Sequence, residues 1–150
     1  MTQRQEVSFK VYTKTRTLVR NANGFPLELI DFIKGDGTYD TTTYKYTVQN
    51  AGTYLLGFSC IRMFSTNSSA YEVFLERIVD GVSTTRVINR GLLASGSDGA
   101  DTTTNSCFMY KLQVDDKLYI RQWWGRSLTN LSTYTSDDTL NSFWGIRLDY

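Results

Sequence analysis

The chain has 150 residues, which is enough for one domain with its own core and leaves little room for a second. Its net charge is +1, with no run of basic or acidic residues, so neither nucleic acid nor an anionic membrane surface is expected as the main partner. No apolar stretch approaches the length of a transmembrane helix, and the residues after Met1 lack a secretory-signal pattern. We therefore interpret residues 1–150 as a single domain that does not insert into membranes.

Short segments rich in Thr, Tyr, Val, Ile and Phe alternate with turn signals such as Asn23-Gly24, Asp36-Gly37 and Asp80-Gly81. β-Branched and aromatic residues favour strands, and Gly, Asn and Asp favour the turns between them. There is no long segment with apolar residues at helical spacing and no internal repeat, so we predict an all-β, two-sheet antiparallel sandwich. The expected strands are residues 7–12, 27–33, 44–48, 52–64, 72–79, 83–89, 106–113, 117–123 and 141–148.

Asp80-Gly81 is the best-specified turn, because apolar-rich segments run into it and out of it. Asp-Gly supplies the positive φ angles of a type I′ turn, which predicts a tight hairpin. Residues 65–70, 91–105 and 125–140 are polar and are expected to form surface loops.

The expected strand at 52–64 is apolar on both faces. Leu56, Phe58, Cys60 and Phe64 share one face, and Leu55, Ile61 and Met63 share the other. A strand that is half exposed should be apolar on one face only, so both faces are expected to be covered. A second sheet of the same domain can cover one face. A neighbouring subunit is our favoured cover for the other, and long loops over a central strand are the alternative.

Histidine is absent, which removes Ser-His-Asp and Cys-His catalytic sets and histidine metal sites. Phosphate-binding Gly-x-x-x-x-Gly-Lys and nucleophile-elbow Gly-x-Ser-x-Gly motifs are also absent. Asp115-Asp116 supplies the residue type that glycoside hydrolysis needs, but it lies in an expected turn, where carboxylates usually face water. We expect no enzymatic activity and no bound cofactor.

Cys60 and Cys107 are the only cysteines, too few for a disulfide framework. Buried free thiols within strands are the favoured interpretation, and one bridge between neighbouring strands is the alternative.

Two segments contain candidate binding residues. Arg121, Trp123, Trp124 and Arg126 lie together, and tryptophan beside arginine can stack on sugar rings or on a partner's side chains. Alternation along a strand offers a simpler interpretation, with one tryptophan in the core and the other at a subunit contact.

Asp98 and Asp101 are candidate calcium ligands in an acidic loop, although a solvated loop is the favoured interpretation. Asn67-Ser68-Ser69 and Asn130-Leu131-Ser132 are glycosylation sequons, which matter only if the protein is secreted.

Several motifs occur in the order found in one known family. They are Val7-Ser8-Phe9-Lys10-Val11, the proline-led segment from Pro26 to Ile33, Gly37-Thr38-Tyr39-Asp40, Ala51-Gly52-Thr53-Tyr54, Ile78-Val79-Asp80-Gly81, the segment from Leu112 to Ile120, and Ser142-Phe143-Trp144-Gly145-Ile146. With these motifs the chain resembles the globular-head domain of complement component C1q, within the jelly-roll superfamily that includes tumour necrosis factor. Ala51 replaces the family's usual proline, and Asp115 replaces a glycine; aspartate tolerates the left-handed conformation that such a position requires.

The resemblance implies a jelly roll that forms a homotrimer, with the strands at 52–64, 106–113 and 141–148 in one sheet. Together with the two-faced apolar pattern, it leads us to expect aromatic residues of that sheet near the three-fold axis. The expected interface residues are Tyr54, Phe58, Tyr110, Tyr119, Phe143 and Tyr150. Loops at one end of the trimer are expected to form the ligand or partner surface.

Two biological roles fit these expectations. The first is a virion surface protein: a capsid decoration, head-fibre or receptor-binding module that contacts a capsid protein or a host surface. A start at Met1 close to the first strand, an end at the closing strand, no collagen-like stalk and no disulfide framework favour this role. The second is a secreted, lectin-like recognition domain with a carbohydrate ligand, as the resemblance to the C1q head suggests.

Overall fold

The computed structural model describes residues 5–12, 27–63, 69–93, 102–124, 132–133 and 141–149. The regular secondary structure in these ranges consists of β-strands, with no helix. In chain order they are β1 (Ser8–Tyr12), β2 (Leu29–Lys34), β3 (Thr38–Asp40), β4 (Lys45–Thr47), β5 (Gly52–Met63), β6 (Ser69–Val79), β7 (Val82–Leu93), β8 (Thr102–Leu112), β9 (Lys117–Trp124), β10 (Ser132–Thr133) and β11 (Ser142–Arg147).

The strands form two sheets, and all pairings are antiparallel. In the first, here called sheet A, the neighbours run β2-β1-β11-β5-β8, and the two-residue β10 pairs with β5 beyond the end of β11. In the second, sheet B, the order is β3-β4-β9-β6-β7. The prediction that β5, β8 and β11 share one sheet is confirmed, and so is the two-sheet jelly roll.

The core fills the space between the two sheets because alternate side chains of each strand point inward. Phe9 of β1 lies at its centre: its ring stacks on Tyr46 of sheet B with centroids 3.8 Å apart, and it meets Phe143 of sheet A edge-on at 5.2 Å. Phe9, Tyr46 and Phe143 are all at most 1% exposed. These aromatic contacts join the two sheets.

Two turns adopt the backbone conformations that the sequence predicts. Asp80 has a φ of 51° and Gly81 a φ of 77°, as a type I′ turn requires, and Val79 pairs with Val82 across the hairpin. Asp115, which replaces the glycine usual in the resembling family, has a φ of 70°. The aspartate therefore occupies the left-handed position expected of it.

Strands extend into segments that the sequence analysis interpreted as loops. Residues 91–93 belong to β7, residues 102–105 to β8, and residues 69–70 to β6. The short strands β3 and β10 were not predicted at all. Ser, Thr and Asn suggested loops at the ends of β6, β7 and β8, but the backbone ladders continue there, because pairing with a neighbouring strand outweighs the modest intrinsic preference of these residues.

The register of β5 and β8 separates the two cysteines. Cys107 lies opposite Gly57, whereas Cys60 lies opposite Thr104. Cys107 is a free thiol, as favoured from the sequence, but it is exposed rather than buried. The reason is that its side chain leaves the outer face of β8, away from sheet B.

Candidate interaction surface

Three of the six expected interface residues lie in the core instead. Tyr54, Phe58 and Phe143 are at most 2% exposed within their own chain. A side chain with no free surface cannot contact a neighbouring subunit, so this part of the expectation is wrong. The sheet was correctly identified, but these aromatics point from it toward sheet B.

The other three expected residues have different positions. Tyr119 lies in β9 of sheet B, not in sheet A, and is 7% exposed. Tyr110 is half-buried on the inward side of β8, and its hydroxyl accepts a hydrogen bond from Arg86. Tyr150 lies outside the described residues.

The outward side of sheet A carries a second apolar surface, in two rows that cross the strands. One row runs from Met109 through Leu55 to Ile146, and the other runs from Cys107 through Gly57 and Trp144 to Lys10 and Phe32. We call Phe32, Leu55, Met109, Trp144 and Ile146 the outer patch. Met109 is 66% exposed and Phe32 is 39% exposed, while the other three are partly buried.

Trp144 lies directly over Gly57 in the middle of the outer patch. A Cβ added to Gly57 would overlap the indole ring, so glycine is required there for the tryptophan to lie close against the sheet. The wide ring thereby covers the centre of the sheet and enlarges its apolar surface.

A groove of about 410 Å³ opens beside Trp144 at the β2 side of the outer patch. Its apolar walls include Phe32, Trp144 and Ile146. Charged side chains form ion pairs at its rim: Lys10 lies 3.5 Å from Asp31, and Lys34 lies 3.2 Å from Glu6. The groove therefore combines an apolar floor with a charged border, as protein contact surfaces commonly do.

The outward side of sheet B is built differently, because its aromatic rings are already covered by charged groups. Phe74 and Tyr119 stack with centroids 5.3 Å apart. The Arg121 guanidinium lies 5.6 Å from the Phe74 centroid, and the Lys45 ammonium lies 4.9 Å from that of Tyr119. Lys45 also pairs with Glu76 at 2.6 Å. On this face, charged groups cover the two aromatic rings, and Ile78 and Val87 are its exposed apolar side chains.

Among the candidate ligand residues, Arg121 therefore has an intramolecular role over Phe74. Trp123 and Trp124 belong to β9, where their backbones pair with Ala70 and Ser69, so they lie in a strand and not in a loop. Arg126 lies outside the described residues, as do Asp98 and Asp101, the candidate calcium ligands. In the described ranges, no three His, Cys, Asp or Glu residues are grouped so that they could hold a metal ion.

Asp116 corrects the expectation that the Asp115-Asp116 pair faces water. Its carboxylate is 1% exposed and accepts two hydrogen bonds from Arg77, at 2.8 and 2.6 Å, and one from the Gln113 backbone at 2.8 Å. This hydrogen bonding raises the pKa of the Arg77 guanidinium. Asp116 therefore fastens the turn between β8 and β9 to β6.

Within the described ranges, no helix is long and apolar enough to cross a membrane.

Known proteins show the same fold. No family model and no curated protein matches the chain. Among solved structures, Eiger TNF from S. frugiperda matches with a TM-score of 0.80 at 13% identity, covering 97% of this chain and 94% of that one. Murine APRIL at pH 5.0 matches with a TM-score of 0.71 at 15% identity, covering 95% of this chain and 99% of that one. Murine APRIL at pH 8.5 matches with a TM-score of 0.67 at 15% identity, covering 97% of this chain and 100% of that one.

The chain is thus a tumour necrosis factor-like jelly roll. At these identities the likeness concerns the fold, and it agrees with the strand order of the two sheets described above.

Proposed function

We propose that this protein is a non-enzymatic, homotrimeric surface module that works by binding a partner. The outer patch is the observation that carries the proposal. Phe32, Trp144, Ile146, Leu55 and Met109 give the outer side of sheet A apolar surface on both sides of Lys10 in β1, and soluble monomers rarely leave extended apolar surface uncovered. A second copy of the chain covers it in this proposal.

The described carboxylates support a non-enzymatic role, because several are committed to structure. Asp116 pairs with Arg77. Asp40 accepts hydrogen bonds from the backbones of Thr42 and Thr43, which lower its pKa. Asp149 accepts one from the backbone of Thr53, which likewise lowers its pKa. A general acid needs a raised pKa, so the lowered pKa values of Asp40 and Asp149 suit turns and closures better than acid catalysis.

A measurement of mass in solution tests the assembly. Sedimentation equilibrium of the intact chain at micromolar concentration is expected to give three times the mass of 17.2 kDa. A monomer at that concentration would contradict the proposal.

For the biological role, we favour a virion surface module that contacts a capsid protein or a host surface. The exposed free thiol of Cys107 supports assembly in a reducing compartment, where disulfides are rare. Electron microscopy of particles from the native source, with an antibody to this chain, is expected to place trimers at regular positions on the capsid. Absence of label from purified particles would contradict this role.

A secreted recognition domain with a carbohydrate ligand is the second candidate. The resemblance of its sequence motifs to the C1q head favours this role, and the jelly-roll fold shared with Eiger TNF and APRIL is compatible with it. Glycans on Asn67 or Asn130 in native material, or calcium-dependent sugar binding by the isolated protein, would support it against the virion role.

A further inference from the structure

We propose that the free edge of β8 pairs with an extended peptide segment of a partner protein, which thereby adds a strand to sheet A. Within the described ranges β8 pairs with β5 alone, so it is an outermost strand of that sheet. This inference rests on the proposed partner-binding function and names the chemistry of the partner.

The backbone of β5 shows which groups of β8 point toward the free edge. Thr53 directs its backbone toward β11, because its N–H donates to Asp149 and its carbonyl accepts from Leu148. Opposite residues of an antiparallel ladder alternate between hydrogen-bonded and non-hydrogen-bonded pairs, so Lys111, opposite Thr53, directs its backbone away from β5. Accordingly, the Lys111 carbonyl accepts a hydrogen bond from Arg77 at 3.2 Å.

The same direction recurs at every second residue of β8. Asn105, Cys107 and Met109 therefore present backbone N–H and C=O groups at the free edge, and no residue of the described ranges forms a hydrogen bond with these groups. All three residues are exposed, Met109 at 66%. Such a row of unpaired donors and acceptors is a template for another strand.

The other outermost strands carry features that hinder the addition of a strand. Their ladders skip Asp31 in β2 and Ile88 in β7, which leaves a bulge in each, and β3 has three residues only. Bulges and short edge strands protect sheets against further pairing. The ladder of β8 runs from Thr102 to Leu112 with neither a register shift nor a proline. β8 is therefore the edge best suited to accept a strand.

The surroundings of the free edge define the side chains of the segment. On the outer side, Met109 and Cys107 end the rows of the outer patch, so apolar side chains fit there. On the inner side, Arg86 of β7 bonds to the neutral hydroxyl of Tyr110, and neither β7 nor β8 contains a carboxylate. Because successive side chains of a strand point to opposite sides, a segment that alternates apolar and acidic residues is complementary.

A second copy of this chain fits the edge less well. Two β8 edges would bring Arg86 and Lys111 of both copies together with no carboxylate between them, and like charges oppose such pairing. A subunit that covers the outer patch lies over the face of sheet A, whereas an added strand lies in the plane of the sheet. The proposed trimer contact and the strand addition therefore use different sides of β8.

A synthetic eight-residue peptide of alternating valine and glutamate is the probe. Isothermal titration calorimetry with the intact chain is expected to detect binding, and a peptide with the same residues in two blocks should bind at least about tenfold more weakly. In antiparallel addition the valines lie opposite Cys107 and Met109, so their backbones make the hydrogen bonds to β8. N-methylation of the valines is expected to abolish binding, and N-methylation of the glutamates is the matched control that should preserve it.

A backbone substitution in β8 tests the same contact from the other side. Met109→Pro removes an N–H that points away from β5, so the fold should persist, as circular dichroism and thermal unfolding check. Its affinity for the alternating peptide is expected to fall at least about tenfold. Met109→Ala, which keeps the N–H, should retain most of the affinity. If Met109→Pro does not fold, the two methylated peptides decide.

Amide hydrogen exchange shows whether the edge is free. The amides of Cys107 and Met109 are expected to exchange rapidly in the unbound protein and slowly with the peptide, while that of Tyr110 stays protected in both. Protection of Cys107 and Met109 without peptide would mean that this chain or a second copy already covers the edge. That result, or equal binding of the two methylated peptides, overturns this inference and leaves the proposed trimer standing. A monomeric wild type that binds the alternating peptide overturns the trimer alone.

Discussion

Arg77 of β6 and Asp116 of the turn before β9 form a bidentate ion pair, with hydrogen bonds of 2.8 and 2.6 Å, and the Arg77 guanidinium also reaches the backbone carbonyl of Lys111 at 3.2 Å. One arginine of sheet B thereby holds the end of β8, a strand of sheet A. The pair links the two sheets at the end of the sandwich where β6 and β7 turn.

Breaking this pair should destabilise the protein strongly. Asp116→Ala leaves the guanidinium and the Gln113 backbone without their acceptor. Since removing one member of a buried pair costs about 3–5 kcal/mol, we expect a loss near the lower end, because Arg77 keeps partial access to water. Urea unfolding measures it. Asp115→Asn is the control, because asparagine accepts the positive φ of that position, and it should change stability little. An equal loss in both variants would contradict the role assigned to the pair.

Gly37 and Tyr46 should be coupled in stability. A Cβ on Gly37 would overlap the Tyr46 hydroxyl, which is buried and has no hydrogen-bond partner. Gly37→Ala is therefore expected to cost about 1–3 kcal/mol through overpacking. Tyr46→Phe should be close to neutral, since it removes an unpaired polar group.

Combining the two substitutions should recover part of the Gly37→Ala loss, because phenylalanine lacks the oxygen nearest the added Cβ but keeps the ring carbons that also overlap it. Chemical denaturation of the four proteins in this double-mutant cycle measures the coupling. Strictly additive losses would show that the two positions do not share the space.

Alkaline pH should unfold the protein through its buried tyrosines. Burial raises the pKa of Tyr54 from its ordinary value of 10.0 to about 12, and also raises the pKa of Tyr39 and Tyr46. In the unfolded chain these phenols ionise near their ordinary pKa, so their contribution to stability is complete below pH 10 and declines as pH rises toward the folded value.

Tyrosinate absorbance followed together with circular dichroism during a pH titration measures this effect. We expect the ionisation of these groups to coincide with unfolding, and Tyr46→Phe to lessen the alkaline loss of stability without a comparable change at neutral pH. Full ionisation of all tyrosines while the fold persists would contradict the prediction.

The reactivity of the Cys107 thiol should show whether a neighbouring subunit covers the outer patch. Cys107 ends the row that contains Gly57 and Trp144, and it is exposed within its own chain. If a neighbour covers this surface, a maleimide should react with Cys107 more slowly in the trimer than in a Phe32→Glu variant, whose added carboxylate on the outer patch is expected to keep the chain monomeric. Peptide mapping by mass spectrometry distinguishes it from Cys60. Equal rates in the two proteins would show that the thiol lies outside the contact.

The sequence predicted where the strands lie better than which of their side chains point into the core. Alternation and turn residues located nearly every long strand, and the Asp80-Gly81 hairpin has the backbone angles that its residues predict. Predicting which side chains point into the core also requires knowing which side of β5 packs against sheet B. Aromatic residues suggested an interface, but Tyr54 and Phe58 pack inward, while the less conspicuous Leu55 and Met109 lie outside.

The structural role of Asp116 also lay beyond the sequence. Its partner, Arg77, is distant along the chain, and no local pattern connects a turn carboxylate with a strand arginine. The outer patch had a usable signal, since Trp144 and Ile146 alternate with Phe143 and Gly145 and lie opposite β5 in the ladder. Recognising it required the register between the two strands.

The pairing of β1 with β11 limits when the strands of sheet A can pair during synthesis. Ser8 lies opposite Ile146, so the first described strand to leave the ribosome finds its neighbour in the last. β11 also separates β1 from β5, and until it emerges β1 and β2 have no place in sheet A. Strand β1 can pair with β2 early, but its other edge stays unpaired until β11 has been made. Chaperone binding to nascent chains, and the yield of soluble protein at different translation rates, should both reflect that interval.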